Sequence, residues 1–364
     1  MKSLRKTFPM VCGLLLVALL TQLGAQSPQQ GTSPAAPDQN PQAAPQQNRQ
    51  GKIVIPVNEV VVPVTVKDGA GKLVPDLRRD EFRIFEDNIE QRISSFRADV
   101  LPISMVLLVD NDLKSKDAKQ VEGSLRSIVA AMSLNDESFV CRFDQFFHEG
   151  KGFIRDQDKL LTELKRTHLD EETSVGPTSA AIGNGPSLNG HSATGDAPNI
   201  SGGVINIKGQ PTKALDDAVY SAAQLLKDRD PERQRRKIIF LISDGVNGAK
   251  ANVNKYDMVL RDLLRYDIAV YGVGVGSAYF DRRFERLSKY AHDTGGDVYY
   301  GVKSRAMEEL YARVTEEARN QYTLAYAPAG TDRGAEYHSI EVRVKREGLT
   351  ILAREGYYAG ATPR

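Results

Sequence analysis

Two long apolar runs, each ending in an aspartate, most constrain what this chain can fold into. Residues 103–109 (ISMVLLV) lead into Asp110, and residues 238–243 (IIFLIS) lead into Asp244. Runs of this kind are typical of strands that are buried on both faces, as in a parallel sheet covered by helices. Open α/β folds place their ligand sites at the carboxyl edge of the sheet, where both aspartates would lie. We therefore expect Asp110 and Asp244 to share one site.

Strand and helix patterns alternate over residues 100–318. Strand-like segments such as SFVCRF (138–143) and IAVYGVGV (268–275) are separated by segments whose apolar residues recur with helical spacing. Repeated strand–helix units indicate an α/β fold with a doubly wound, mostly parallel sheet. Residues 170–210 interrupt the alternation and are rich in Gly, Ser, Asn and Thr, so we expect a flexible inserted loop there.

The segments on either side of this block, residues 52–99 and 319–364, have the pattern of short antiparallel strands. Every second residue from Val60 to Val66 is valine, and apolar residues alternate in the same way from Ile340 to Val344. Chain termini often lie close together in a domain. We expect the two segments to form one small β-sandwich, and two independent β appendages are the alternative.

The N-terminus has the pattern of a secretory signal. Residues 1–25 combine a basic start, a short apolar core and a small residue before the expected cleavage point. Residues 26–51 are rich in Gln, Pro and Ala and predict a disordered linker. We expect an exported protein, periplasmic or secreted, with no membrane span after cleavage. A retained N-terminal anchor is the alternative.

The near-neutral charge and the histidine spacing each exclude a class of function. The formal net charge is +1, and removing the expected signal, which carries three basic and no acidic residues, would leave a net charge of about −2. The bulk charge therefore does not favour binding to nucleic acid. The histidines show no zinc-type spacing, and we expect each of them in a loop or at the surface. They are His148, His168, His191, His292 and His338.

Three motifs in the central block resemble those of the von Willebrand factor type A family. They are VLLVDNDLKS (106–115), PTKALDDAV (211–219) and FLISDGVNG (240–248). The flanking β segments further resemble an exported, acidobacterial-type bacterial group of proteins that carry such a domain. The resemblance implies a metal-ion-dependent adhesion site, in which hydroxyls and carboxylates hold Mg²⁺ (or Mn²⁺ or Ca²⁺) and a partner carboxylate completes the shell.

The site residues that the resemblance implies match this sequence only in part. Asp110 and Asp244 match the two aspartates, and Thr212 matches the threonine, but Asp112 and Lys114 stand where the family has serines. A carboxylate at Asp112 can still bind a metal, whereas an ammonium cannot. Two hypotheses stay open: an ion bound by the three aspartates and the threonine, or the Lys114 ammonium in the ion's place.

The function that we expect is an exported, non-enzymatic protein-binding module of the adhesion type. Its partner would present an acidic residue to a surface that includes Lys114, Thr212 and Asn247, with residues 170–210 as an adjustable rim. One alternative is a structural scaffold of the cell envelope, in which a lysine-filled site only stabilises the fold. A metal-dependent hydrolase is a remote alternative, because no recognisable base or nucleophile accompanies the aspartates.

Overall fold

The computed structural model of this 364-residue protein describes residues 59–167, 169, 213–229, 234–248, 250–276, 285–301, 304–328 and 337–359. The expected signal (1–25), linker (26–51) and inserted loop (170–210) lie outside the described residues. Among the described residues, no helix combines the length and the apolar character needed to cross a membrane.

The secondary structure alternates in the central block and is all β on both sides of it. The strands are β1 (Val60–Lys67), β2 (Phe82–Glu86), β3 (Ile89–Gln91), β4 (Ile93–Arg97), β5 (Ile103–Asp110), β6 (Glu137–Phe143), β7 (Phe147–His148), β8 (Arg236–Ser243), β9 (Ile268–Gly274), β10 (Val298–Tyr300), β11 (Tyr322–Tyr326), β12 (Tyr337–Val344), β13 (Thr350–Ala353) and β14 (Gly356–Tyr358). The helices are α1 (Ser115–Ser124), α2 (Arg126–Ala131), α3 (Gln157–Lys165), α4 (Leu215–Leu226), α5 (Tyr256–Arg265), α6 (Glu285–Thr294) and α7 (Ser304–Arg319).

The central sheet has six strands in the order β10-β9-β8-β5-β6-β7, and only β7 runs antiparallel to its neighbour. All eight residues of β5 are buried, because helices cover both faces. Helices α1, α2, α3 and α7 pack on one face, and α4, α5 and α6 pack on the other. This arrangement confirms the predicted doubly wound α/β fold, and it places the ends of β5 and β8 side by side at the carboxyl edge.

The two flanking segments form one sandwich of two antiparallel sheets. One sheet has the order β13-β1-β11-β4 and the other β14-β12-β2-β3, so each combines N-terminal with C-terminal strands. Their inner faces share one core, in which the Phe82 and Tyr322 rings lie 5.1 Å apart. The predicted sandwich is confirmed, and the alternative of two separate appendages is wrong.

The histidine expectation fails at one position in this sandwich. His338 lies on β12 and is only 6% exposed. Its imidazole Nδ1 lies 2.7 Å from Asp87 Oδ2, and its ring stacks on that of Tyr357. Alternation along β12 turns this histidine inward together with Ile340, a position that spacing between histidines cannot reveal.

A buried ionic cluster joins the sandwich to the α/β part. The ammonium of Lys67, at the end of β1, lies 2.7 Å from both Asp297 Oδ2 and Glu317 Oε2. The same ammonium lies 2.7 Å from the hydroxyl of Tyr299 on β10. Because the Lys67 and Glu317 side chains are 5% and 2% exposed, the charges depend on each other for solvation.

Candidate functional site

The carboxyl edge of the central sheet brings together a buried lysine and the two aspartates that end β5 and β8. Lys213 Nζ lies 3.0 Å from Asp110 Oδ2 and 2.9 Å from Asp244 Oδ1. The side chains of Lys213 and Asp110 are 4% and 0% exposed, and that of Asp244 is 17% exposed. The predicted convergence of Asp110 and Asp244 is therefore present, with an ammonium between the two carboxylates.

The remaining hydrogen-bonding positions of these carboxylates are also used within the fold. Asp110 Oδ2 accepts a second hydrogen bond from the Ser243 hydroxyl (2.7 Å), and Asp110 Oδ1 accepts one from the backbone N–H of Asp112 (3.0 Å). Asp244 Oδ1 accepts the backbone N–H of Val246 at 3.0 Å. Buried carboxylates need such donors to offset the loss of water.

Two loops hold the backbone on either side of the lysine ammonium. The carbonyl of Lys213 accepts the N–H of Gly248, in the loop after β8, at 2.8 Å. The next N–H along the chain, that of Ala214, donates to the carbonyl of Asp144 at 2.9 Å. The position of Lys213 is thus set by backbone contacts on both sides, before its side chain forms any ion pair.

The electrostatics of the site follow from burial and from the close charges. Burial raises the pKa of Asp110 to about 6, the Lys213 ammonium opposes this rise, and the Asp244 charge adds to it. For Lys213, burial acts to lower the pKa, but the attraction of Asp110 and Asp244 outweighs burial and raises it. The ammonium form of Lys213 is therefore strongly favoured at neutral pH.

These residues do not fit a divalent ion at the position that the resemblance implies. Mg²⁺ requires oxygen ligands around it, and an ammonium has three donors and no acceptor. Lys213 lies between the two carboxylates that would bind the metal, so an ion could enter only if the lysine left. The expectation of Lys114 in this place is wrong, because the lysine that pairs with Asp110 and Asp244 is Lys213.

The other site residues predicted from the sequence are spread around this centre. Lys114 is the exposed residue preceding α1, and its carbonyl accepts the N–H of Ala118 at 2.9 Å. Asp112 is exposed beside the buried Asp110. Thr212 lies outside the described residues.

Asn247, which we expected on the surface that binds the partner, connects the loop after β8 to the start of α4 through hydrogen bonds. Its amide oxygen accepts the N–H of Leu215 (3.2 Å) and the amide of Asn252 (2.7 Å). Its amide nitrogen donates to Asp216 Oδ2 at 2.9 Å. Asp216 in turn accepts the Tyr290 hydroxyl at 2.8 Å, so the Asn247 side chain belongs to a network inside the fold.

Two apolar side chains project from the loops that hold the lysine. Phe146 is 66% exposed in the turn after β6, where its N–H donates to Asp144 Oδ1. Val253 is 88% exposed in the loop after β8, where its N–H donates to Asp217 Oδ2. Both side chains therefore project from loops at the carboxyl edge of the central sheet.

Sequence reasoning missed Lys213 and Ser243, although both belong to the motifs that it singled out. Lys213 directly follows the threonine position in PTKALDDAV, and Ser243 precedes Asp244 in FLISDGVNG. A lysine next to an expected metal-binding threonine was an available signal. Its meaning depends on the distance across the sheet edge, which a linear motif does not contain.

Comparisons with known proteins agree with this architecture at the level of the domain. The family model described as the von Willebrand factor type A domain matches residues 189–313. No curated protein matches the chain's sequence.

Three of the similar solved structures each have a TM-score under 0.5. BatB from Bacteroides thetaiotaomicron shares 14% identity over 59% of this chain and 98% of its own, with a TM-score of 0.38. The manganese-loaded TRAP protein of Plasmodium vivax shares 14% identity over 75% of this chain and 97% of its own, with a TM-score of 0.36. A von Willebrand factor type A protein from Catenulispora acidiphila shares 9% identity over 83% of this chain and 75% of its own, with a TM-score of 0.40.

The family match includes two of the three central residues of the site. Lys213 and Asp244 lie inside the matched range, and Asp110 lies before it. The likeness to the von Willebrand factor type A domain is therefore a likeness of residues 189–313.

Proposed function

We propose that this chain is an exported, non-enzymatic protein-binding module whose site works without a divalent ion. The observation that carries the proposal is the Lys213 ammonium between Asp110 and Asp244. A lysine at this position supplies the positive charge that holds the two carboxylates together, which is the structural part of a metal ion's role. Both carboxylates are engaged by Lys213, so neither is placed to act as a base.

In adhesion sites that hold a metal, an acidic residue of the partner is expected to bind the ion directly. We propose a different mode of binding for this chain. A buried ammonium that already pairs with two carboxylates has little capacity to accept a third from a partner. We propose that the partner instead packs on Phe146 and Val253, with the exposed Asp112 and Lys114 as polar contacts at the rim. Apolar anchors surrounded by polar groups are the usual arrangement of a binding surface.

The proposed export of the protein is supported by the signal-like pattern of residues 1–25 and the linker composition of residues 26–51. The similarity of the flanking β segments to the exported, acidobacterial-type bacterial group supports the same proposal. Manganese in the TRAP structure is a property of that protein, and the lysine of this chain stands against transferring it here.

Calorimetric titration of Mg²⁺ and Mn²⁺ tests the ion-free site. We expect no binding heat at this site in the native protein, because the ammonium repels a second cation. Lys213→Ser removes the ammonium and adds a hydroxyl, so this variant should bind the ion, and adding Asp244→Ala should abolish that binding. Lys114→Ser is the matched control and should behave like the native protein. Binding by the native protein that disappears in Asp244→Ala would contradict the proposal.

Capture of envelope proteins from the source organism on immobilised protein tests the binding surface. We expect retained proteins to stay bound in EDTA and to be lost from a Phe146→Ser/Val253→Ser variant. Leu134→Ser, which changes a leucine that is 83% exposed at the opposite edge of the sheet, is the control. Elution by EDTA would contradict the ion-free mode. Equal retention by all three proteins would favour the scaffold alternative.

A further inference from the structure

We infer that His292, Asp293 and Glu355 form a binding site for a divalent ion of the zinc type, separate from the lysine-filled edge. The first two residues lie in the last turn of α6, and Glu355 lies in the connection between β13 and β14. Helix α6 leads from the carboxyl end of β9 to the start of β10, so this cluster lies at the opposite edge of the sheet from Asp110.

The geometry brings one nitrogen and two oxygens into a space that suits a single ion. His292 Nδ1 lies 3.0 Å from Glu355 Oε1 and 3.7 Å from Asp293 Oδ1. One ligand atom from each of the three residues lies within 4.8 Å of the others. An ion with bonds of about 2.0–2.2 Å to nitrogen and oxygen needs its ligands roughly 3–4 Å apart, so only small side-chain rotations are required.

The ligands are oriented by contacts outside the cluster. The Tyr256 hydroxyl donates to Asp293 Oδ2 at 2.7 Å, which turns Oδ1 of the same carboxylate toward His292. The backbone N–H of Glu355 donates to the carbonyl of Asp293 at 3.3 Å. Hydrogen bonds of this kind, which hold a ligating carboxylate in place, are typical of built metal sites.

A close backbone approach holds the two parts of the cluster together. Gly295 has a φ of +79°, and a Cβ there would lie 2.6 Å from the backbone nitrogen of Arg354. The chain just before Glu355 therefore lies directly on the turn that ends α6. Because this contact is between backbone atoms, the spacing of His292 and Glu355 does not depend on flexible side chains alone.

The charges in the cluster favour a cation. Partial burial raises the pKa of Glu355, and the neighbouring Asp293 carboxylate raises it further, while His292 and Lys289 oppose the rise. A cation shared by Glu355 and Asp293 would offset the repulsion between their two carboxylates. The Glu355 and His292 side chains are 47% and 70% exposed, so an ion can enter from solvent and keep water ligands.

The donor set selects the class of ion. An imidazole nitrogen with two carboxylate oxygens suits Zn²⁺ or Co²⁺, whereas Mg²⁺ prefers oxygen ligands alone. A bound ion would cross-link α6 to the last strands of the sandwich. The expected consequence is a more stable junction between the two parts of the fold.

Thermal unfolding of the full chain, stripped of metal with EDTA and then titrated with Zn²⁺, tests the site. We expect the native Tm to rise by about 5 °C at a hundredfold excess over Kd. His292→Ala and Glu355→Gln should each lose the rise. His148→Ala, which removes an exposed imidazole that lies 3.0 Å from Asp144, is the matched control and should retain it. Titration with Co²⁺ should give a visible absorption band in the native protein and not in His292→Ala.

Two results would overturn the inference. The first is a native Tm that Zn²⁺ leaves unchanged, which would make the cluster a hydrogen-bonded ion pair only. The second is an equal rise in the native protein and in both site variants, which would place the ion elsewhere. If His292→Ala fails to fold, the inference is tested by the Zn²⁺ response of Glu355→Gln and by the Co²⁺ spectrum of the native protein. Lys213→Ser should leave the Zn²⁺ response unchanged, so this test is independent of the proposed function.

Discussion

The ammonium of Lys213 lies 3.0 Å from Oδ2 of Asp110, and both side chains are buried at the carboxyl ends of β5 and β8. An ion pair of this kind stands where type A domains of the adhesion type are expected to hold a metal. The sheet edge therefore carries its own fixed cation, supplied by the chain. In the function that we propose, this site works without a divalent ion, and the Lys213–Asp110 pair also contributes to the stability of the fold.

Removing the Lys213 charge alone should lower the free energy of unfolding more than removing the charges of both Lys213 and Asp110. Lys213→Met leaves Asp110 buried without its ammonium, so we expect the free energy of unfolding to fall by about 3–5 kcal/mol. Lys213→Met/Asp110→Asn should recover a large part of the loss, because no uncompensated charge remains. Urea denaturation at pH 7 measures both values. Losses that simply add in the double variant would show that the two side chains do not depend on each other.

Removing the charge of Lys67, in the buried ionic cluster that joins the sandwich to the α/β part, should also lower the free energy of unfolding. Lys67→Met leaves Glu317 and Asp297 without their ammonium, and we expect a loss of about 3 kcal/mol in the free energy of unfolding. Lys72→Met, at an exposed position just after the same strand, should change stability by less than about 0.5 kcal/mol. Chemical denaturation of both variants gives the comparison. Equal effects would mean that burial of Lys67 has no energetic consequence.

Glu137 should make stability depend on pH at the acidic end. Burial acts to raise its pKa, but hydrogen bonds from Arg229, Ser104 and Arg155 outweigh burial and lower it below its usual 4.5. Its stabilising contribution is therefore fully present above about pH 4.5 and is lost as the pH falls through the lower folded-state value.

The test of this pH dependence is Glu137→Gln. This variant should be less stable than the native protein by roughly 2 kcal/mol at pH 7, and the difference should shrink below pH 4.5. Urea denaturation between pH 3 and pH 7 measures both curves. Glu347→Gln, at an exposed position, should follow the native curve throughout. A difference between Glu137→Gln and the native protein that stays constant with pH would contradict the assignment.

Gly295 and Gly348 separate the effect of backbone crowding from that of backbone conformation. Both have positive φ, +79° and +73°, but a Cβ at Gly295 would collide with the backbone of Arg354 and Ala353, whereas Gly348 has open space around it. We expect Gly348→Ala to cost about 1 kcal/mol in the free energy of unfolding. Gly295→Ala should cost at least about 2 kcal/mol more, because backbone must move. Similar losses in thermal or urea unfolding would show that the turn after α6 can shift freely.

Much of the fold was predictable because it rests on patterns of apolar residues along the chain. The nearly continuous apolar run of β5 and the alternation from Val60 to Val66 indicate burial on two faces and on one face, respectively. The sandwich was predictable for the same reason. The burial of His338 was not, because a polar residue at an inward position is accommodated by partners such as Asp87, which lies far away in sequence in the turn between β2 and β3.

The location of the site could be predicted from the sequence, but the group that pairs with its two aspartates could not. Asp110 and Asp244 could be located because each ends an apolar strand, and parallel strands end at one edge of a sheet. The lysine between them could not be assigned in the same way. The motif position pointed to Lys114. The backbone hydrogen bonds of Lys213 to Gly248 and of Ala214 to Asp144 instead place the Lys213 ammonium at the carboxylates.

The sequence by itself determined the α/β class, the β-sandwich flanks and the edge of the sheet at which the aspartates meet, because these depend on local periodicity and strand order. The tertiary structure alone decided that Lys213 takes the central position and that His292 comes within 3.0 Å of Glu355. Both are contacts between residues far apart in the chain, and their energies depend on distances and burial that no linear spacing specifies.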